Sequence, residues 1–266
     1  MLPAPGRAWK NLRVRLVSLC PSITETLAAL GLAGDLVGVT RYCVHPRERL
    51  AGVTRVGGTK NPDLAAIRAA KPDLVFCNAE ENRREDVEAL AREFTVDVSY
   101  PRRVAEIPDL LRHLGRLTGK RGDAEMWAAR IEQELLGLEG RSRPSFRFAY
   151  LIWRDPWMTV GGDTYVSDLF RRVGGRNAFE KKGAGSHDYP EVGEKEVVAA
   201  RPDLLVLPDE PYRFREKDAA FWRGKLPASS RVVLVSGDDF CWHGVRTLRG
   251  IVAAGQLARY AAEAGG

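Results

Sequence analysis

Apolar residues along this chain gather into short runs, separated by stretches whose hydrophobic positions recur at helical spacing. Arg13–Leu19, Leu36–Val39, Phe94–Val98, Phe146–Trp153 and Val232–Val235 are rich in β-branched or aromatic side chains and each predicts a strand. Helix-period segments alternate with them, which predicts βαβ crossovers and mainly parallel sheets. The clearest helix runs from Asp123 to Leu138, bounded by Gly119, Gly122 and Gly140. Its apolar residues Ala124, Trp127, Ala128, Ile131, Leu135 and Leu138 step by three or four, so one face is expected to be buried.

A repeat sets the larger plan. Ala69-Ala70-Lys71-Pro72-Asp73-Leu74-Val75-Phe76 returns as Ala199-Ala200-Arg201-Pro202-Asp203-Leu204-Leu205-Val206. In both copies a helical stretch ends at the proline, and an apolar run leads into a polar, acid-rich loop. The run reads as a buried parallel strand. The fold predicted is α/β: two Rossmann-like lobes with mainly parallel sheets, joined by one long backbone helix. The expected boundaries are 12–118 for the first lobe, 119–141 for the connecting helix and 142–266 for the second lobe. A loose linker composition appears only at Ser142-Arg143-Pro144-Ser145, after the helix. Ser22-Ile23-Thr24-Glu25 reads as a capping box, placing a helix N-terminus directly after the first strand.

Composition adds restraint. The 266 residues carry 41 Lys and Arg against 35 Asp and Glu, a net +6 spread along the chain without a dense basic block. Nucleic-acid binding is therefore not expected, and no run reaches the roughly 18 apolar residues of a membrane span. The opening residues Met1 to Lys10 lack an apolar core, so the expected placement is cytoplasmic, with an extracytoplasmic placement as the alternative if an export signal is missing from these residues. Cys20, Cys43, Cys77 and Cys241 are widely spaced with no CxxC pair and read as free thiols.

Familiar catalytic signatures are missing. Gly115-Arg116-Leu117-Thr118-Gly119-Lys120 is one residue short of a P-loop and is followed by Arg121. No GxGxxG follows the first strand, and neither GxSxG nor HExxH occurs. No catalytic residue and no intrinsic cofactor is therefore assigned. What remains are polar and aromatic loops where strands of an open α/β sheet end and ligands bind. In the first lobe these supply Pro21 and Ser22, Tyr42, Cys43 and His45, then Thr59, Lys60 and Asn61, then Glu80, Glu81 and Asn82. In the second they supply Trp153, Arg154 and Trp157, then Tyr189 within Ser186-His187-Asp188-Tyr189-Pro190, Glu210 and Tyr212, and finally Phe240, Trp242 and His243. Trp153, Trp157 and Trp242 could wall a flat or macrocyclic ligand, or could equally be core. Cys43-x-His45 and Cys241-x-His243 form a matched pair with ligand chemistry suited to zinc, although satisfied loop residues are the default for both.

Several stretches, in this order, resemble the substrate-binding proteins of the cobalamin and iron-chelate ABC importers, the class with two lobes and a helical backbone. They are Leu16 to Glu25, Val37-Gly38-Val39-Thr40, Lys71-Pro72-Asp73-Leu74-Val75, Met158-Thr159-Val160-Gly161 and Gly174-Gly175-Arg176-Asn177-Ala178-Phe179. The likeness covers about Arg13 to Tyr260 and is nearest to the vitamin B12-binding members. It implies a corrinoid lying flat in the cleft between lobes, with haem or a ferric siderophore as the alternative. By this resemblance Tyr42 is an aromatic contact, Tyr189 stands where the cobalamin binders carry Trp, and Asp238, Phe240 and Arg246 close the pocket. Lys60, Arg154 and Arg246 would face ligand carboxylates, amides or phosphate, and His243 or His45 would be an axial or direct metal donor. The implied partners are a small-molecule ligand and an ABC permease, for a monomer without a membrane span. The permease is called into question by Arg84, beside Glu85, and Lys195, between Glu194 and Glu196, which stand where the relatives present acids. Such a cytosolic cousin would store, hand over or sense its ligand. Two further readings stay open: a cytosolic enzyme handling metals or tetrapyrroles through His45, Cys43, Cys241 or His243, and a module that holds another protein.

Overall fold

The computed structural model describes residues 14–139, 145–182 and 188–263. Contacts divide it into two compact units. Lobe one comprises residues up to Pro101, Glu106–Ile131 and His243–Arg246, and lobe two comprises Arg102–Ala105, Glu132–Trp242 and the residues from Thr247. The main division falls between Ile131 and Glu132, inside the long helix expected at 119–141, and two short segments, Arg102–Ala105 and His243–Arg246, group with the lobe in which their arginines find acids. Arg102 and Arg103 pair with Asp163, and Arg102 also with Asp188. Arg246 pairs with Glu25. Loop chemistry of that kind leaves no periodic trace in the sequence.

Lobe one holds β1 (Leu16–Ser18), α1 (Pro21–Ala29), β2 (Leu36–Val39), β3 (Thr54–Arg55), α2 (Leu64–Ala70), β4 (Leu74–Asn78), α3 (Arg84–Ala91), β5 (Thr95–Ser99) and α4 (Ile107–Thr118). The sheet order is β3-β2-β1-β4-β5, and every pairing is parallel. Consecutive strand residues feed opposite cores. Leu16, Leu74 and Phe76 pack with Ile23, Leu27 and Leu114, while Val17, Val75 and Cys77 pack with Ile67 and Leu90. Helices therefore cover both faces, and strands that must be apolar on both sides read as continuous runs. α5 (Arg121–Leu138) follows, and the predicted face is the buried one: Ala124, Ala128 and Ile131 are fully enclosed while Met126 and Leu136 are exposed.

Lobe two holds β6 (Phe146–Trp153), β7 (Met158–Thr159), α6 (Tyr165–Arg172), β8 (Gly175–Asn177), α7 (Glu194–Ala200), β9 (Leu204–Pro208), α8 (Glu216–Arg223), β10 (Arg231–Val235), α9 (Asp238–Cys241) and α10 (Thr247–Ala262). Its strand order is β10-β9-β6-β7, with β8 also paired to β6. β7 is antiparallel to the end of β6, and the other pairings are parallel. One face packs Ala149, Leu151, Leu205 and Leu207 against Val197 and Trp222. The other carries an aromatic stack in which Phe170 lies 4.6 Å from Phe148 and 5.5 Å from Phe240.

The repeat has a physical cause visible in both lobes. Lys71 and Arg201 end α2 and α7 in the left-handed region, at φ 45° and 43°. The aspartate two residues on accepts the backbone N–H that opens the neighbouring strand, Arg15 to Asp73 at 2.8 Å and Arg147 to Asp203 at 2.6 Å. The same arginines reach back to the last helical carbonyls, Ala70 and Ala200. Each copy thus closes a helix, aligns a strand and satisfies carbonyls left over at the helix end.

The expected capping box is not formed. α1 begins at Pro21, with Cys20 as its N-cap and no side-chain cap. Proline suits the first helical position, since its missing N–H would have no helical partner there. Ser22 and Glu25 are consequently free for other partners.

Candidate functional site

In lobe one the strand order reverses direction between β1 and β4, and the crevice of an open α/β sheet lies outside the carboxyl ends at such a point. Here the His243 ring fills it. Ser22 Oγ lies 3.3 Å from both ring nitrogens, and Asn78 Nδ2 lies 3.3 Å from Nε2. Burial pushes the His243 pKa down to about 4, so the ring is neutral at pH 7. Three residues on, Arg246 is enclosed and grips Glu25 through two bonds of 2.6 and 2.8 Å. Expected as a metal donor and a ligand cation, His243 and Arg246 are instead committed to the interior of lobe one.

Two asparagines build the surrounding loops. Asn82 accepts the Asn78 N–H at 2.8 Å and donates to Leu19 and Thr59 carbonyls at 3.2 and 2.9 Å. It ties together the loops after β1, β3 and β4, and its side chain is buried rather than offered to a ligand. Asn78 accepts from the Glu80 and Glu81 N–H groups and donates to Ser99. Asn78 is not among the sequence candidates, although a polar residue closing a wholly buried apolar strand is its signal. Replacing Asn82 with alanine is expected to cost about 2 kcal/mol in denaturant unfolding, since buried partners lose their bonds; a loss below about 0.5 kcal/mol would refute the role.

The remaining lobe-one candidates separate by exposure. Tyr42 is 52% exposed, with the Arg41 guanidinium 5.5 Å from its ring centroid. Gly57, at φ +88°, lets the chain fold back below it; a Cβ there would sit 2.7 Å from Asn61 O and Asp63 N. Lys60 and Asn61 are exposed, Lys60 donating to the Glu80 carbonyl and Asn61 accepting from Arg41 at 3.3 Å. Glu81 is exposed and Glu80 and His45 are half-buried, whereas Pro21 and Thr59 are buried. Cys43 is enclosed, with Thr24 donating to its sulfur at 3.0 Å, and burial raises its pKa. Burial likewise pushes the Cys20 thiol up to about 12. Neither is poised as a thiolate ligand. Among the described residues no group of three or more His, Cys, Asp or Glu is placed to hold a metal ion.

Lobe two divides its aromatic residues sharply. Trp157 is buried, stacked on Phe214 at 6.2 Å and 6° and set against Trp222 at 5.0 Å. Arg154 lies over the Trp157 ring at 5.3 Å and pairs with Asp218, which is wholly buried. Phe240 and Trp242 are buried as well. Trp157, Phe240 and Trp242 are therefore interior residues, and Arg154 is half-buried. Trp153 is 41% exposed and meets the half-buried Tyr212 edge-on at 5.7 Å, and Tyr189 is exposed. Glu210 accepts the Cys241 thiol at 3.0 Å; burial raises its pKa, partly offset by hydrogen bonds from Cys241 and Trp242. Ser186 and His187 lie outside the described residues.

The sequence profile described as periplasmic binding protein matches residues 16–219. The chain belongs to that family. It is a family of substrate-binding transport proteins. Membership overturns the cytoplasmic placement, because these proteins act outside the cytoplasmic membrane. That expectation rested on ten residues whose composition says nothing of where the folded lobes work. The chain shares 27% identity with a vitamin B12-binding protein of Vibrio parahaemolyticus over 90% of its own length and 86% of that protein's. The same identity is found with a vitamin B12-binding protein of Pectobacterium carotovorum, over 88% and 84%. Among solved structures, the periplasmic vitamin B12-binding protein BtuF of Vibrio cholerae superposes with a TM-score of 0.80 at 24% identity, covering 93% of this chain and 97% of that one. The periplasmic haem-binding protein RhuT of Roseiflexus sp. RS-1 gives 0.79 at 23% identity, covering 94% and 98%. Both likenesses establish the fold. No helix among the described residues is long and apolar enough to cross a membrane.

Proposed function

We propose that the chain is a receptor, not an enzyme, for a metal-centred tetrapyrrole, with cobalamin as the first choice and haem as the second. The observation that carries this reading is the set of rings at strand carboxyl ends, the exposed Tyr42 in lobe one and the exposed Trp153 with the half-buried Tyr212 in lobe two. Flat side chains with few rotors lose little entropy on contact with a flat ligand. The names of the relatives support the corrinoid, and RhuT supports haem as the second reading. The metal centre belongs to the ligand, so no protein metal site is required.

An ABC permease is the partner this reading implies. Glu85, one residue from Arg84, is exposed at the start of α3 and can serve as an acidic contact, whereas Glu194, one residue from Lys195 at the start of α7, is half-buried and pairs with Lys225 at 2.6 Å. Titration with hydroxocobalamin, haem and a ferric catecholate, followed by absorbance and thermal shift, tests the ligand class. Hydroxocobalamin is expected to bind and raise the melting temperature. Silence with all three probes would end the receptor reading.

A further inference from the structure

Where β9 and β10 end, lobe two carries a surface dish of about 550 Å3. Its lining includes Arg213, Phe214 and Arg215 together with Leu234 and Val235. Arg215 is extended, at φ −135° and ψ 173°. Side chains alternate in an extended segment. Phe214 is buried and stacks on Trp157, while Arg213 and Arg215 on either side of it are exposed.

Neither guanidinium has a carboxylate, hydrogen bond or ring partner among the described residues. The arginines Arg154, Arg171, Arg172 and Arg223 of the same lobe each pair with an acid. One acid does line the dish, Asp209, but its carboxylate accepts the Gly237 N–H at 2.8 Å and forms no ion pair with either arginine. Beside the two cations Leu234 is 40% exposed, unusual for a leucine in a strand. The dish thus combines apolar and cationic side chains, and it lies where strands of an α/β sheet receive ligands.

The geometry points to Arg213 and Arg215 as an anion-binding subsite for the carboxylate or phosphate arm of a tetrapyrrole ligand, an inference that rests on the receptor reading above. Guanidinium forks match both anions in shape and charge. Leu234 and Val235 would carry the alkyl stem of such an arm.

The test compares the wild-type chain with Arg213→Gln/Arg215→Gln, using two matched probe pairs. Dicyanocobalamin carries a phosphodiester that dicyanocobinamide lacks, and haem carries two propionates that haem dimethyl ester masks. The double variant is expected to bind the anionic member of one pair about tenfold more weakly, and its uncharged partner as the wild type does. The affected pair identifies the anion. Salt dependence of that binding should shrink together with it. Equal binding of the anionic probes by variant and wild type would overturn the subsite while leaving the receptor intact. Equal weakening of charged and uncharged probes would also overturn it, as would a lowered melting temperature that accounts for the loss. If the wild type binds no member of either pair, the receptor reading fails and the subsite with it.

Discussion

Lowering the pH from 7 to 4 is expected to remove about 3 kcal/mol of stability through His243 alone. The ring is buried, and the Asn78 amide nitrogen 3.3 Å from Nε2 requires that nitrogen to accept. A second proton would break this bond and charge a site sealed from water. Burial therefore holds the pKa near 4 in the folded chain against 6.5 in the unfolded one. Between those values the unfolded chain takes up a proton that the folded chain refuses. Stability from this group is complete above about pH 6.5, declines as pH falls, and is fully lost below about pH 4. His243→Gln keeps a donor and an acceptor but cannot titrate. Denaturant curves at pH 7, 5.5 and 4 should show the variant losing about 3 kcal/mol less than the wild type over that range. The half-exposed His113, paired with Asp97 at 2.7 Å, is common to both chains and cancels in the difference. Parallel curves for the two proteins would refute the assignment.

The same residue shows where sequence reading succeeds and stops. Periodicity reports burial, so Leu36–Val39 and Phe146–Trp153 match β2 and β6 residue for residue, and the α5 face is the buried one. The Lys71-Pro72-Asp73 repeat is legible because one local device recurs in both lobes. Two- and three-residue strands such as β3, β7 and β8 are too short to hold a period. Rings pose a different difficulty. Trp153 and Trp157 sit four residues apart, at the end of β6 and in the turn after it, yet one is at the surface and the other faces Phe214, Phe221 and Trp222. Only the partners, 57 to 65 residues away in sequence, decide which ring is core. Basic residues are ambiguous for the same reason: Arg154 and Arg246 look like ligand cations until Asp218 and Glu25 arrive to neutralise them.

Arg154 offers the decisive contrast between scaffold and ligand contact, and its replacement by methionine is expected to cost about 3 kcal/mol. Asp218 is wholly enclosed, and one of its oxygens already caps α8 by accepting the Arg215 N–H at 2.9 Å. The other oxygen has the Arg154 guanidinium. Removing that cation leaves a buried carboxylate with one backbone partner, and stranding a charge in this way costs about 3–5 kcal/mol for a fully buried pair. Arg154 retains 28% exposure, which places the expectation at the lower end. Methionine keeps the volume over Trp157 and Phe221, so packing contributes little to the loss. Adding Asp218→Asn removes the stranded charge while keeping an acceptor for the Arg215 N–H. The double variant Arg154→Met/Asp218→Asn should therefore recover most of the loss, which a double-mutant cycle in guanidinium measures directly. Hydroxocobalamin affinity of the double variant should equal that of the wild type if Arg154 holds the aromatic floor together. A recovered fold with binding weakened about tenfold would instead return Arg154 to the ligand and make Asp218 its positioning partner.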